Sequence, residues 1–260
     1  MLAVVTGASS GIGATFARQL AARGWDLLLI ARREDRLREL AGYLSGQYKI
    51  SAQPMPGDLT DPATLAAIAA HIRQAKDLGL LVNNAGFGTR GYFFETDPDS
   101  LLRMHRLHVE ATMSLTQAAM ANLIPRAQKG TGVINVSSVA AFLPAATYGA
   151  TKTWVNAFTE CIANELAALN SPVTVQALCP GYTLTEFHDV IGQDRSAIPS
   201  WLWLPPDFVV SESLRGFDQG RLMVVPGWRY KLIAAGARLL PAVLRRRTLQ
   251  ALVPRYQKQK

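Results

Sequence analysis

The sequence predicts an α/β chain, a doubly wound parallel sheet of about seven strands with helices on both faces. Three observations carry this reading. Short β-rich runs alternate with stretches of helical periodicity through most of the chain. The runs are continuously apolar, as strands covered on both faces must be. The 260 residues, 49% of them hydrophobic, supply enough core for one large domain.

The elements follow in order. LAVVT (2–6) is the first strand and leads through a glycine-rich turn into a helix over 11–24. DLLLIA (26–31) is the second, and Glu34 and Asp35 open the next helix (34–46), where acids suit the positive end of the helix dipole. KISAQPM (49–55) precedes a helix over 61–76, and GLLVNNAG (79–86) precedes one from about 97 to 124. GVINVSS (132–138), a helix opening at TYGATKTWVNAF (147–158) and VTVQALCPG (173–181) complete the alternation. Residues 184–206 then break the rhythm with a long, proline-bearing, tryptophan-rich segment, which reads as a mobile cover inserted into the domain. Residues 1–220 form one catalytic unit in this reading, and 221–260 hold a last strand and a basic extension. No repeats or low-complexity tracts occur.

Composition excludes several classes. The formal charge of +8 is concentrated in residues 221–260, which hold ten Arg or Lys and no Asp or Glu; the first 220 residues carry 17 basic against 19 acidic side chains. Nucleic-acid binding by the body is therefore not expected. No uninterrupted apolar run reaches the roughly 18 residues of a membrane span, and the first strand starts at Leu2, which leaves no room for a signal peptide. Cys161 and Cys179 lack ligand spacing and fit a reducing, cytoplasmic location. His105 and His108 have no third ligand, so no metal site is expected.

Every chemical motif falls at a predicted strand end, where doubly wound sheets bind ligands. In VVTGASSGIG, Gly7, Gly11 and Gly13 let the backbone bend and approach a pyrophosphate resting on the helix amino terminus. This Rossmann-type turn assigns Gly7, Ser9, Ser10, Gly11, Ile12 and Gly13 to coenzyme binding. The second strand ends in LLLIARRED: Ala31 stands where an NAD site would present an acid, and Arg32 and Arg33 follow, which favours the 2′-phosphate of NADP(H). Tyr148 and Lys152, four residues apart, share one helix face. That spacing is common by chance, and it becomes a candidate acid–base pair only in this context.

TGASSGIG, GDLT (57–60), NNAG (83–86), NVSS (135–138), YGATK (148–152) and PGYTLT (180–185) stand in one order over residues 3 to 185, and together they resemble the short-chain dehydrogenase/reductase family, 3-oxoacyl reductase-like members included. The resemblance implies a tyrosine acid/base, Tyr148, which gives its proton to a carbonyl oxygen as hydride arrives. Lys152 would lower the phenol's pKa, which is about 10 when free, and hold the nicotinamide ribose. Ser138 rather than its neighbour Ser137 would hydrogen-bond the same substrate oxygen. Asp58 and Leu59 would lie against the adenine, Asn84, Ala85 and Gly86 near the ribose, and Pro180, Gly181, Thr183 and Thr185 around the carboxamide. In LHVEAT, His108 occupies the place of an asparagine that many members use. Two roles stand for it, a proton-relay group titrating near 6.5 or a packing histidine beside a relay that needs only backbone. Family members commonly pair the helices of His108 and Tyr148 across a two-fold, so a homodimer or homotetramer is expected.

The function these readings imply is hydride transfer between NADP(H) and a carbonyl or secondary alcohol. Phe87, Phe93, Phe94, Phe142, Leu143, Phe187, Trp201, Leu202 and Trp203 in the variable loops suggest an apolar substrate, and Arg90, His188 and Arg195 are the polar candidates there. A non-catalytic dinucleotide-binding regulator and a peripheral membrane-associated reductase are the rivals. The tail interleaves aromatic and aliphatic residues with cations, as a membrane-surface or partner-binding element does, and Pro241 and Pro254 are expected to interrupt any long helix in it. A solvated extension, or one packed on another subunit, is the alternative.

Overall fold

The computed structural model describes residues 1–89, 91–190 and 195–257. Among them, β1 (Leu2–Thr6), β2 (Asp26–Ala31), β3 (Ala52–Pro56), β4 (Leu78–Asn83), β5 (Gly132–Val136), β6 (Thr174–Leu178) and β7 (Met223–Val224) pair in parallel in the order β3-β2-β1-β4-β5-β6-β7. The order reverses between β1 and β4, whose registered pairs include Val4 with Leu81 and Val5 with Val82. A crevice therefore opens beyond the carboxyl ends of these two strands.

Alternation along each strand feeds two cores. Val5 and Leu29 face α1 (Gly11–Ala22), α2 (Glu34–Tyr48) and α8 (Pro206–Asp218), packing with Phe16, Leu20, Leu37 and Leu214. Val4, Leu28 and Leu81 face α3 (Pro62–Gln74) and α5 (Thr112–Leu123), packing with Ile68, Ile72 and Leu115. Full burial of each such side chain contributes about 1.5–3 kcal/mol, so both helical layers are firmly tied to the sheet.

Helix starts follow their local chemistry. Asp61 caps α3, its carboxylate accepting from the Thr64 N–H at 2.8 Å ahead of Pro62, and Asp97 caps α4 (Pro98–His105) by accepting from the Ser100 N–H at 2.9 Å. The single helix expected over 97–124 is instead α4, a π-helical turn over Arg106–Ala111 and then α5. The wide turn contains His108, and such turns concentrate at functional sites.

The last forty residues belong partly to the body. α9 (Trp228–Leu239) buries Tyr230, Ala234 and Ala237, and β7 pairs with β6. Pro241 separates α9 from α10 (Ala242–Gln257) as expected. Pro254 does not interrupt α10: it falls in the closing turn, where one missing backbone bond no longer splits the helix. No helix among the described residues is long and apolar enough to cross a membrane.

Candidate active site

The switch point is locked by a residue that the sequence reading passed over. The Thr6 hydroxyl accepts from the N–H groups of Asn84 (2.9 Å) and Ala85 (3.0 Å) and donates to the Val82 carbonyl at 3.3 Å. The Asn84 amide donates to the carbonyls of Thr6 (2.9 Å) and Gly7 (3.3 Å), so this side chain ties strand ends together. Gly7 (φ +65°) and Gly11 (φ +55°) occupy the left-handed region that glycine enters without strain. At Gly13 a methyl group would sit 2.3 Å from the Gly7 carbonyl oxygen, so α1 packs directly on the turn.

The crevice above is a cavity of about 730 Å³, lined by every predicted coenzyme residue except Gly13. Its walls fit a dinucleotide. The amino terminus of α1 opens into it with no side-chain cap on Ser10. At the end of β2, Arg33 donates to the hydroxyls of Ser9 (3.2 Å) and Ser10 (2.7 Å), which makes a cationic, hydroxyl-lined pocket suited to an anion. Arg33 also pairs with Glu186 at 2.8 Å, as Arg36 does at 2.7 Å, and these two guanidinium groups hold the Glu186 carboxyl below its ordinary value. Asp58 and Leu59 line the same end, where Asp58 Oδ1 accepts from the Thr60 N–H at 2.9 Å and hydroxyl at 2.8 Å.

At the other end, β5 and α6 (Thr147–Ala168) bring Ser138, Tyr148 and Lys152 together. Ser138 caps a short 3₁₀ turn, its oxygen accepting from the Ala140 N–H at 3.1 Å, and it lines the cleft with Tyr148. Ser137 is buried and donates to the Lys152 carbonyl at 3.0 Å. Lys152 Nζ donates to the Val136 carbonyl at 2.9 Å and lies 5.7 Å from the Tyr148 ring centre.

The electrostatics correct one expectation. Burial pushes the Tyr148 phenol up to about 12, against the lowering hydrogen bond from Ser138. Lys152 does not lower it here, because its ammonium is turned to the Val136 carbonyl and is itself pushed down to about 8 by burial.

His108 is 1% exposed. Its Nε2 accepts from the Phe87 N–H at 3.3 Å, so the ring proton sits on Nδ1, which donates to the Thr151 hydroxyl at 2.8 Å. Thr151 in turn donates to the Tyr148 carbonyl at 2.8 Å. Burial first, then the nearby charges of Lys152 and His105, hold the imidazole well below 6.5. It is a neutral brace between the Phe87 strand end and the first turn of α6.

On the substrate side, Phe87, Leu143, Phe187 and His188 line the cleft, and Phe187 packs against Tyr148 with ring centres 5.7 Å apart. Seven of the predicted substrate residues are elsewhere. Phe93 and Phe94 are 69% and 80% exposed, Trp201 faces outward at 56%, and Phe142 carries the Arg238 guanidinium 5.0 Å over its ring. Trp203 packs on His188 behind the cleft wall, Leu202 contributes its carbonyl to Tyr230, and Arg195 donates to the Thr185 carbonyl at 2.7 Å. Arg90 lies outside the described residues. Thr183 is buried and Thr185 packs against Gly11, so the PGYTLT segment closes over the glycine turn.

The sequence profile of the short chain dehydrogenase family matches residues 1–196. The chain belongs to that family. Among solved structures, a short-chain dehydrogenase from Sphingobium yanoikuyae in complex with NADPH superposes with a TM-score of 0.83 at 32% identity, over 100% of this chain and 97% of that one. The very-long-chain 3-oxoacyl-CoA reductase of Bos taurus is 27% identical over 251 residues, covering 93% of this chain and 76% of its own. The inactive hydroxysteroid dehydrogenase-like protein 1 of Homo sapiens is 28% identical over 188 residues, 70% of this short-chain dehydrogenase and 56% of that protein. Family membership and the oxidoreductase class rest on these matches and on the sheet order.

Sequence reasoning missed Thr6, Thr151, Glu186 and Tyr230. Thr6 stood inside a quoted motif, and its position at the first strand end was the available signal. Glu186 and Tyr230 act across 153 and 48 residues of chain, on Arg33 and Tyr182, and no local pattern announces such partners.

Proposed function

We propose that this chain is an NADP(H)-dependent reductase of an apolar carbonyl compound, with Tyr148 as the proton donor. The observation that carries the reading is the convergence of Ser138, Tyr148 and Lys152 on the wall of one dinucleotide-sized cleft. When bound, the nicotinamide coenzyme supplies or accepts the hydride. The Ser138 hydroxyl orients the substrate oxygen, and the Tyr148 O–H gives that oxygen its proton. Lys152, on the same helix face, would hold the nicotinamide ribose. Arg33, Ser9 and Ser10 would hold a 2′-phosphate, with Arg32 beside them in the cleft wall. The apolar preference is supported by Phe87, Leu143 and Phe187.

The test is NADPH oxidation over aliphatic, aromatic, acyl-thioester and steroid ketones, with Tyr148→Phe as the blank. Loss of about 10²–10⁴-fold in turnover with NADPH binding retained is expected, and equal turnover by the variant would refute it. A second reading, a non-catalytic dinucleotide-binding regulator, gains weight from the inactive relative. It is distinguished by NADPH binding without turnover on any member of the panel. A cytoplasmic homodimer or homotetramer through α5 and α6 belongs to this proposal. It is supported by the exposed Met113 on α5 and the stacked Trp154 and Phe158 on α6, and light scattering of the purified chain tests it.

A further inference from the structure

α9 has two apolar faces, and the body uses only one. Inward, Tyr230 is 3% exposed; its ring fills the space where a side chain on Gly181 would stand, and its hydroxyl accepts from the Tyr182 N–H (3.0 Å) and donates to the Leu202 carbonyl (2.6 Å). Outward, Trp228, Leu232 and Leu239 are 63%, 64% and 82% exposed, with Ala235 between them. Positions 228, 232, 235 and 239 fall within about 60° of one another around a helix, so they form one stripe. Beyond Pro241, Val243 and Leu244 of α10 are also exposed.

Cations border this surface. The Arg229 guanidinium lies 4.9 Å from the Trp228 ring and 5.4 Å from that of Trp201, and donates to the Trp201 carbonyl at 3.2 Å. The exposed Lys231 reaches Glu212 of α8 at 4.0 Å, and Arg238 covers Phe142. Arg246 and Arg247 follow on α10, both exposed. Residues 221–260 contain no Asp or Glu to balance them.

We propose that the outer face of α9, with Trp201 and the start of α10, docks on an anionic phospholipid surface. A stripe of tryptophan and leucine bordered by cations lies in the plane of a bilayer interface, with its apolar side chains below the headgroups and its cations among the phosphates. A second copy of the chain is a poor occupant. A two-fold interface sets the same patch against itself, and here that brings together two segments of one charge sign. The docked face includes Trp201 of the 200–202 turn, whose neighbour Leu202 is bonded to Tyr230, so the lid edge of the cleft would rest at the lipid surface.

The test uses the full chain, without coenzyme or substrate, in sedimentation with vesicles of phosphatidylcholine alone or of two parts phosphatidylcholine to one part phosphatidylserine. The expected result is binding about tenfold stronger to the phosphatidylserine vesicles, weakened by salt. A Trp228→Ser/Leu232→Ser/Leu239→Ser variant and an Arg246→Glu/Arg247→Glu variant should each lose about tenfold. All five side chains are exposed, and circular dichroism verifies that both variants are folded. Equal binding by the parent and the serine variant, or equal binding to both vesicle types, would overturn the proposal. So would a parent chain that ignores vesicles but self-associates through this stripe, seen in sedimentation velocity as a dimer that the serine variant loses. Turnover is not read in these arms, so the outcome is separate from that of the reductase reading.

Discussion

Replacing Arg33 or Glu186 separates the two coenzymes by an amount the geometry sets. Arg33 offers the anion pocket two hydroxyl-bonded nitrogens, yet it also pairs with the Glu186 carboxylate at 2.8 Å. An incoming 2′-phosphate must share or displace that carboxylate. The pair is solvent-screened, its side chains 42% and 44% exposed, so it is worth about 0–1 kcal/mol. Hydrogen bonds from a guanidinium to a phosphate contribute about 1.5–3 kcal/mol. Arg33→Ala should therefore weaken NADPH by about 1–2 kcal/mol net, roughly 5- to 30-fold, and leave NADH within about twofold. Glu186→Gln should tighten NADPH by about two- to fivefold, the share of the ion pair, again sparing NADH. Titration of coenzyme fluorescence with both nucleotides reads all four values. Parallel changes for NADH and NADPH, or weaker NADPH binding by Glu186→Gln, would refute the assignment of this pocket.

Three further outcomes follow from the geometry. His108→Ala should leave the kcat/KM profile without a new or lost limb near pH 6.5, because burial disfavours the charged ring, while lowering Tm through the lost partners of Phe87 and Thr151; a limb near pH 6.5 that disappears in the variant would restore the relay role. Lys152 has a folded-state pKa of about 8, below its ordinary 10.5. The unfolded chain thus binds more protons between these values, and stability should rise with pH across that window. Lys152→Met should flatten this rise in denaturant titrations at successive pH values, and an unchanged slope would deny the burial effect. Gly181→Ala places a methyl 2.0 Å from the Tyr230 ring, and overpacking of this kind costs about 1–3 kcal/mol, read as a lower Tm; a neutral result would mean that α9 is not seated on the site.

The sheet was legible because its strands are unbroken apolar runs, and DLLLIA forms β2 with the expected bounds. That Ser138, Tyr148 and Lys152 line one cleft was legible because they sit near element starts, where local spacing fixes direction. Electrostatics were less so: an i, i+4 lysine suggested a lowered phenol, but burial of both groups dominates, and only the packing reveals burial. Phe93, Phe94 and Trp201 look inward by composition and outward by structure, since a loop has no period that assigns its faces. The π-helical turn at His108 leaves an ordinary apolar pattern in sequence, because one extra residue in a turn is invisible without coordinates.

The contact between Gly86 and His108 makes two distant positions a single unit of change. A methyl at position 86 would stand 2.7 Å from the imidazole Nε2 and 3.6 Å from the Lys152 ammonium, so the ring would have to withdraw and release the Phe87 N–H that it accepts. A library that varies position 86 alone would return mostly damaged proteins. One that pairs each bulkier residue at 86 with a smaller one at 108 samples reshaped entrances beside an intact phenol, which makes this couple the natural handle for retuning the enzyme.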